Sequence, residues 1–270
     1  MPELPEVEAA RKVAHAHLVN HRLVDVVVHE DEIVFDQDAP GEICNALRGR
    51  MVIGTDRRGK YQWLKLDAAP HLLVHFGMTG RYHVLDAGHS REDVEAVRFR
   101  KMELLAESGV RLIFADPRRL GRVRLKTDPD SEPPVSKLGF DPLISIPRGK
   151  AFADAVCCRK APIKALLLDQ GFAAGVGNWI ADEVLYQAKI DPHRRACDLN
   201  EDEVAALRKK LRDVIHKAVE VDADSSRFPR TWLFHHRWGK QAEATTHRGE
   251  RVEYSTVGGR TTAWVPEVQR

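Results

Sequence analysis

The sequence predicts an α+β chain in two parts, a β-sandwich or barrel built of antiparallel strands behind a leading helix, then a helical region ending in a hairpin. Three observations carry this. Short β-branched or aromatic segments separated by turn residues crowd the first half. Helical periodicity takes over only after residue 150. Between them lies "KTDPDSEPPVSKLGFDPLISIPRGK", rich in proline and polar residues, the best linker in the chain.

The elements follow in order. "MPELPEVEAARKVAHAHLV" starts like a helix, with Pro5 suited to the first turn, acids complementing the dipole, and Val7, Ala10, Ala14 and Leu18 on one face. The segments "LVDVVVHE", "RMVIG", "KYQWLKL", "HLLVHFG", "RYHVL", "VRLIFAD" and "RVRLK" read as strands; in the last, Val123 and Leu125 alternate with arginines. Helices are expected in "AFADAVCCRK", "APIKALLLDQ", "GNWIADEVLYQAKI" and "NEDEVAALRKKLRDVIHKAVEV". The last has Asn200 as N-cap, Glu203 three residues on, and Val204, Leu207, Leu211, Ile215 and Val219 on one stripe. "GFAAGVG" joins two helices so tightly that the pair resembles a helix-turn-helix variant, whose second helix offers free N–H groups to a phosphate. Gly258-Gly259 marks a two-residue hairpin in the tail.

Composition narrows the function. With 270 residues, 43% hydrophobic and 30% charged, the chain can bury a core and is not disordered. A formal charge of +2 does not by itself indicate a polyanionic partner. The tail says more: from Ser225 to Arg270 there are eight Lys or Arg against four Asp or Glu, interleaved with aromatics, a composition suited to nucleic acid. The four cysteines, Cys44, Cys157, Cys158 and Cys197, form no C-x-x-C pair and read as reduced thiols. No apolar leader or membrane-length run is visible, so a membrane partner is not expected.

Pro2 poses a chemical question. Once Met1 is removed, it becomes a secondary amine titrating near neutrality, able to attack an aldehyde-like carbon and give an iminium. Glu3 and Glu6 would be its acid-base company. Taken alone, "MPELPE" favours a plain helix start.

Six motifs settle that choice. "MPELPEVE", "RRGKY", "HFGMTGR", "DPRRLG", "LLLDQGFAAGVGNWIADEVL" and "VGGRTT" stand in the order and spacing of the formamidopyrimidine-DNA glycosylases, and the resemblance covers essentially the whole chain. It implies residues 1–126 as a catalytic β-sandwich, 127–150 as a linker, 151–224 as a helix-two-turn-helix DNA-binding domain, and 225–270 as a finger. It makes Pro2 the nucleophile at C1′ of a damaged nucleotide and Glu3 the acid-base residue acting on the sugar ring oxygen, a task that desolvation of the carboxyl would help. Glu6 would organise the site. Lys60 and Asn178 match phosphate-contacting residues, Asn178 doubling as a helix cap, and Arg260 would project from the hairpin tip toward the lesion. Met78, Arg118 and Leu120 match the residues that fill the gap left by an extruded base. Leu120 stands where the family has phenylalanine, so a wedge is kept and aromatic stacking is lost.

Two further departures shape the expectation. The family's finger holds zinc with two C-x-x-C pairs, which would fall near Thr245, Arg248, Val265 and Val268. No cysteine follows Cys197, so no metal or other cofactor is expected. Aromatics would replace the zinc, with Val252, Tyr254, Thr256, Trp264 and Val265 packed by Trp232, Phe234 and Trp238. The segment "DADSSRFPRTWLFHHRWGK" is also short in the region that caps extruded 8-oxoguanine. Both features resemble the zincless branch of plants and fungi. The expected activity is that of a DNA glycosylase with apurinic/apyrimidinic lyase activity on duplex DNA, excising formamidopyrimidines and hydantoins and only weakly 8-oxoguanine. The enzyme is expected to act as a monomer, in the cytoplasm and nucleoid of a bacterium or the nucleus of a eukaryote. The alternatives are a non-catalytic lesion-binding protein, disfavoured by Pro2, Glu3 and Lys60 together, and an endonuclease VIII-like preference for oxidised pyrimidines, disfavoured by the "LPEVE" start.

Overall fold

The computed structural model describes residues 2–239 and 243–270. They fold as two compact units, one of Pro2 and Glu6–Lys137, the other of Glu3–Pro5 and Leu138–Arg270. Helix α1 spans Leu4–Leu18. There follow β1 (Leu23–Val28), α2 (Pro40–Leu47), β2 (Val52–Arg58), β3 (Tyr61–Leu66), β4 (His71–His75), β5 (Arg81–Leu85), α3 (Arg91–Ala96), β6 (Arg100–Ala106), β7 (Arg111–Ala115) and β8 (Arg122–Lys126). The second unit contains α4 (Gly149–Cys157), α5 (Ile163–Leu168), α6 (Asn178–Ala188), α7 (Glu201–Glu220), β9 (Glu253–Val257) and β10 (Arg260–Trp264).

The first unit is a sandwich of two antiparallel four-stranded sheets, ordered β1-β6-β7-β5 and β2-β3-β4-β8. Alternation sets the inner faces: Met102 and Leu104 from β6, Leu112 and Phe114 from β7, and Leu64, Leu72, Val74 and Val123 from the other sheet fill one apolar core. Val7, Ala14 and Leu18 of α1 and Ile43 and Leu47 of α2 join it, as the apolar spacing of α1 requires. Burying side chains of this size contributes about 1.5–3 kcal/mol each. Three elements here were not anticipated. Helices α2 and α3, at 8 and 6 residues, are too short for periodicity to stand out, and α3 announces itself only through its cap, Ser90 accepting from the Asp93 amide at 3.1 Å. Strand β6 was missed although Met102, Leu104 and Ala106 do alternate.

The helical unit is held by a second core, in which Val204, Leu207, Leu211 and Ile215 of α7 pack with Val184 and Leu185 of α6 and Ile163 and Leu167 of α5. Asn200 caps α7, accepting from the Glu203 amide at 2.9 Å while the Glu203 carboxylate accepts the Asn200 amide at 2.8 Å. The terminal hairpin turns at Gly258 and Gly259, with φ of 59° and 71°, values that glycine adopts without cost. A Cβ on Gly258 would lie 3.0 Å from the Ala165 methyl, so this turn also needs glycine for its approach to α5.

The hairpin's packing corrects the expectation of an aromatic core. Its buried residues are Leu233, Val252, Ala263 and Val265, edged by Tyr186, Tyr254 and Val268. Trp232 and Phe234 instead join the helical core, where Trp179 stacks on Trp232 and meets the edge of Phe234. Trp238 is 53% exposed, with the Arg237 guanidinium 4.6 Å from its ring. Trp264 is half-buried, edge-on to His193 at 4.9 Å, and Thr256 is exposed. One face of a two-stranded ribbon is narrow, and Ala263 lets it close on Leu233 where an indole would hold it away.

Candidate active site

In the helical unit the site begins at the N-terminus of α6. Glu3 is buried, and its two carboxylate oxygens accept the Trp179 and Ile180 amides at 2.9 and 3.2 Å. Those are N–H groups that a helix leaves unpaired, at the end where its dipole attracts negative charge. The expected desolvation is therefore present, and the two amides fix the orientation of the carboxyl. The approach depends on Gly177, where a Cβ would fall 2.3 Å from the Glu3 carboxyl carbon. The Leu4 amide donates to the Gly175 carbonyl at 3.0 Å and fixes the backbone beside it. Pro2, directly before Glu3, is half-buried and precedes the helix, and Met1 lies outside the described residues. Glu6 sits half-buried in the first turn of α1.

Asn178 and Arg260 belong to one construction. The Asn178 amide donates to the Thr261 carbonyl at 2.9 Å, and Arg260, exposed, follows the glycine turn as the first residue of β10. Beneath them lies a charge cluster that the sequence reading missed. Lys164, fully buried, pairs with Asp182 at 2.6 Å and donates to the Thr262 hydroxyl at 2.8 Å and the Thr261 carbonyl at 3.1 Å. Arg237 donates to the other Asp182 oxygen at 2.7 Å, and the Ala263 amide reaches that oxygen at 3.2 Å. Burial pulls the Lys164 ammonium below its usual value while Asp182 opposes it. Charged residues inside apolar helical runs, Lys164 in "IKALLL" and Asp182 in "WIADEV", were the available signal.

In the sandwich unit, Lys60 follows Gly59 (φ 59°) in the turn between β2 and β3. The turn is clamped from inside: Arg57 donates to the Gly59 carbonyl at 2.9 Å and to Glu8 at 3.0 Å, and Arg11 also binds Glu8. Burial raises the Glu8 pKa, but the two arginines overcome it and hold the carboxyl below its usual value. His75, paired with Tyr61 across β3 and β4, is brought down to about 4 by burial and by the charges of Lys60, Arg122 and Arg124. It is therefore neutral near pH 7 within a positive surface suited to phosphate.

Met78 and Leu120 sit on two loops of the same unit and are 37% and 40% exposed. The buried Asp116 ties the loops together, accepting from the Thr79 hydroxyl and the Gly121 amide, both at 2.7 Å, and from the Arg118 amide at 3.2 Å. Gly77 is obligatory, because a Cβ there would lie 2.3 Å from the Leu120 backbone. A separate cleft of about 240 Å³, lined by Tyr186, Lys189, Lys210, Arg248 and Glu250 among others, contains none of these site residues. Among the described residues no His, Cys, Asp and Glu cluster could hold a metal ion, and no helix is long and apolar enough to cross a membrane.

Comparison with known proteins identifies the family. Residues 1–123 match the formamidopyrimidine-DNA glycosylase N-terminal domain and residues 138–230 the H2TH domain of the same family. A formamidopyrimidine-DNA glycosylase of Arabidopsis thaliana is 40% identical over the whole of this chain, which spans 71% of that protein. One from Thermus thermophilus is 34% identical, with 100% of this chain and 98% of that one covered. The fold superposes on a Lactococcus lactis Fpg (MutM) in complex with Fapy-dG-containing DNA at a TM-score of 0.84 and 25% identity, covering 99% of this chain and 100% of that one. The matching domains lie in family order and the relatives cover the chain from end to end, so it belongs to the formamidopyrimidine-DNA glycosylase family.

Proposed function

We propose that this protein is a base-excision repair enzyme, a DNA glycosylase and apurinic/apyrimidinic lyase that removes oxidised bases from duplex DNA through its N-terminal proline. The observation that carries the reading is the buried Glu3 carboxyl held by two α6 amides, with Pro2 immediately before it. The two α6 amides fix the orientation of the Glu3 carboxyl, the acid that follows the Pro2 nitrogen directly in the chain.

In this mechanism the Pro2 nitrogen bonds to C1′ as the bond from C1′ to the damaged base breaks, and the base leaves with the proton that the Pro2 nitrogen gives up. The ring oxygen then departs from C1′, protonated from Glu3, and the nitrogen lone pair completes an iminium. Its acidified C2′ proton passes to water, and the electrons of that C–H bond expel the 3′ phosphate, cutting the strand. Water hydrolyses the iminium and frees Pro2. Lys60, Asn178 and Arg260 hold phosphates, while Met78, Arg118 and Leu120 occupy the gap left by the extruded nucleotide.

Formamidopyrimidines and hydantoins are the preferred lesions in this reading and 8-oxoguanine a weak one. Its support is the described stretch 221–239, taken up by the short 3-10 turns Ser225–Arg227 and Leu233–His235, with Phe228, Trp232 and Phe234 packed on Trp179. The test is borohydride trapping on a panel of lesion duplexes. The expected adduct maps to the N-terminal peptide and is lost in Pro2→Gly, and Glu3→Gln abolishes excision from intact lesions while keeping some cleavage at preformed abasic sites. An adduct mapping to Lys60 overturns the assignment.

A further inference from the structure

Phe99 stands out in the sandwich unit on two independent grounds. It is 51% exposed, and its backbone has φ of 61°, a left-handed conformation that is an outlier for a bulky aromatic residue. Strain of this kind persists only where the surroundings impose it, and it concentrates at functional positions. Here the imposing contact is visible. The Phe99 carbonyl accepts the Asp116 amide at 3.0 Å, and Arg100 next to it pairs with Ala115. Asp116 is the residue whose carboxylate also ties the Met78 and Leu120 loops together. Three exposed apolar side chains, Met78, Phe99 and Leu120, thus each lie on or next to a segment bonded to this one buried residue, through the Thr79 hydroxyl, the Arg118 and Gly121 amides and the Phe99 carbonyl.

The charges around them define the occupant. Arg98 and Arg118 are exposed, and the Arg98 guanidinium lies 5.1 Å from the centre of the Phe99 ring. Apolar wedges and an aromatic ring interleaved with arginines suit a polyanion carrying flat apolar faces, and an apolar protein surface would leave those cations without partners.

We propose that Phe99 stacks on a nucleobase of the opened duplex and supplies the aromatic surface that Leu120 does not, with Arg98 beside it on the phosphate backbone. The inference rests on the glycosylase reading, because only an opened duplex exposes a base face. The residue is a specificity determinant for damaged DNA and takes no part in the covalent steps.

The backbone strain makes the role testable, because asparagine tolerates the left-handed region and Phe99→Asn should fold at least as well as the natural protein. Three quantities are measured: the melting temperature, the affinity for a duplex with a tetrahydrofuran abasic analogue against an undamaged duplex, and the fluorescence of 2-aminopurine opposite the analogue. The expected result for Phe99→Asn is an unchanged or higher melting temperature, roughly tenfold weaker binding of the abasic duplex, little change for undamaged DNA, and less quenching of 2-aminopurine. Phe99→Tyr restores both affinity and quenching. Equal discrimination by Phe99→Asn and the natural protein overturns the proposal alone, as does a lower melting temperature with both duplexes bound equally weakly, which marks a packing role. A natural protein that does not prefer the abasic duplex overturns the glycosylase reading with it.

Discussion

Two hairpins in this molecule turn through a two-residue loop that begins with glycine, and each carries a cationic residue at or next to its turn. Gly59 and Lys60 join β2 to β3; Gly258 and Gly259 join β9 to β10 just before Arg260. Their supports differ. The first belongs to a four-stranded sheet, with Val52, Leu64 and Leu66 in a large apolar core. The second is a two-stranded ribbon over four buried side chains, an arrangement that is marginal by itself. What braces it from beneath is charge: Lys164 reaches Thr261 and Thr262, and Asp182, paired with Arg237, accepts the Ala263 amide, which pins β10 directly behind Arg260. A hairpin too small to bury an apolar core can thus be fixed by ionic hydrogen bonds, provided every partner is present.

That proviso is where the comparison breaks most easily. Asp182→Ala leaves Lys164 and Arg237 buried without their shared anion, and the expected loss is about 3–5 kcal/mol, with amide protection vanishing first in β9 and β10. Arg57→Ala in the sandwich removes a comparable ionic bond, yet Glu8 keeps Arg11, so the expected loss is smaller, about 1.5–3 kcal/mol by urea unfolding. Equal losses would show that the two hairpins are supported alike. Strong chelators are expected to leave both units, and activity, unchanged.

Titration sharpens the contrast because one buried group in each unit responds to pH in the opposite sense. Glu183 of α6 accepts the Phe234 amide at 2.8 Å and the Gln187 amide at 2.7 Å, and burial raises it to about 7 against these donors and Arg237. The fold therefore holds its proton more tightly than the unfolded chain does, so its contribution is complete below about 4.5 and lost as pH rises through about 7. His75 is depressed to about 4, so its contribution is complete above 6.5 and lost as pH falls through about 4. Glu183→Gln should flatten the first slope and His75→Gln the second, read as local amide exchange in α6 and β4 across that range. A common slope in both elements would refute the pairing of signs.

How far the sequence revealed these features follows from the range of each interaction. Strand alternation, the Asn200 cap and the Gly258-Gly259 turn are local patterns and were legible, as was the order of the family motifs. The brace was not: Lys164, Asp182 and Arg237 lie far apart in the chain, and only the folded helices bring them together. Likewise Glu8 and Arg57 are separated by 49 positions, so the clamp under Lys60 has no local signature. Pro2, Glu3 and Gly177 show the mixed case. The motifs named Pro2 and Glu3, whereas the need for a glycine at 177 appears only when a Cβ there is seen to collide with the Glu3 carboxyl.

The smallest expected effect concerns the aromatic that looked central in the sequence. If the hairpin were held by a large apolar core, Trp264→Ala would be among its most damaging substitutions, at about 3–5 kcal/mol. Trp264 is instead half-buried and outside the hairpin's core, with an edge contact to His193, whose ring nitrogens also meet Asp191 and Ser255. Such an edge-to-face pair contributes about 0.5–1.5 kcal/mol, and the expected loss for Trp264→Ala is of that size. Thermal unfolding with Trp264→Ala beside Asp182→Ala decides between the two supports. A small loss for the tryptophan and a large one for the aspartate locates the stability of the finger in its charges, and the reverse order would return it to the aromatics.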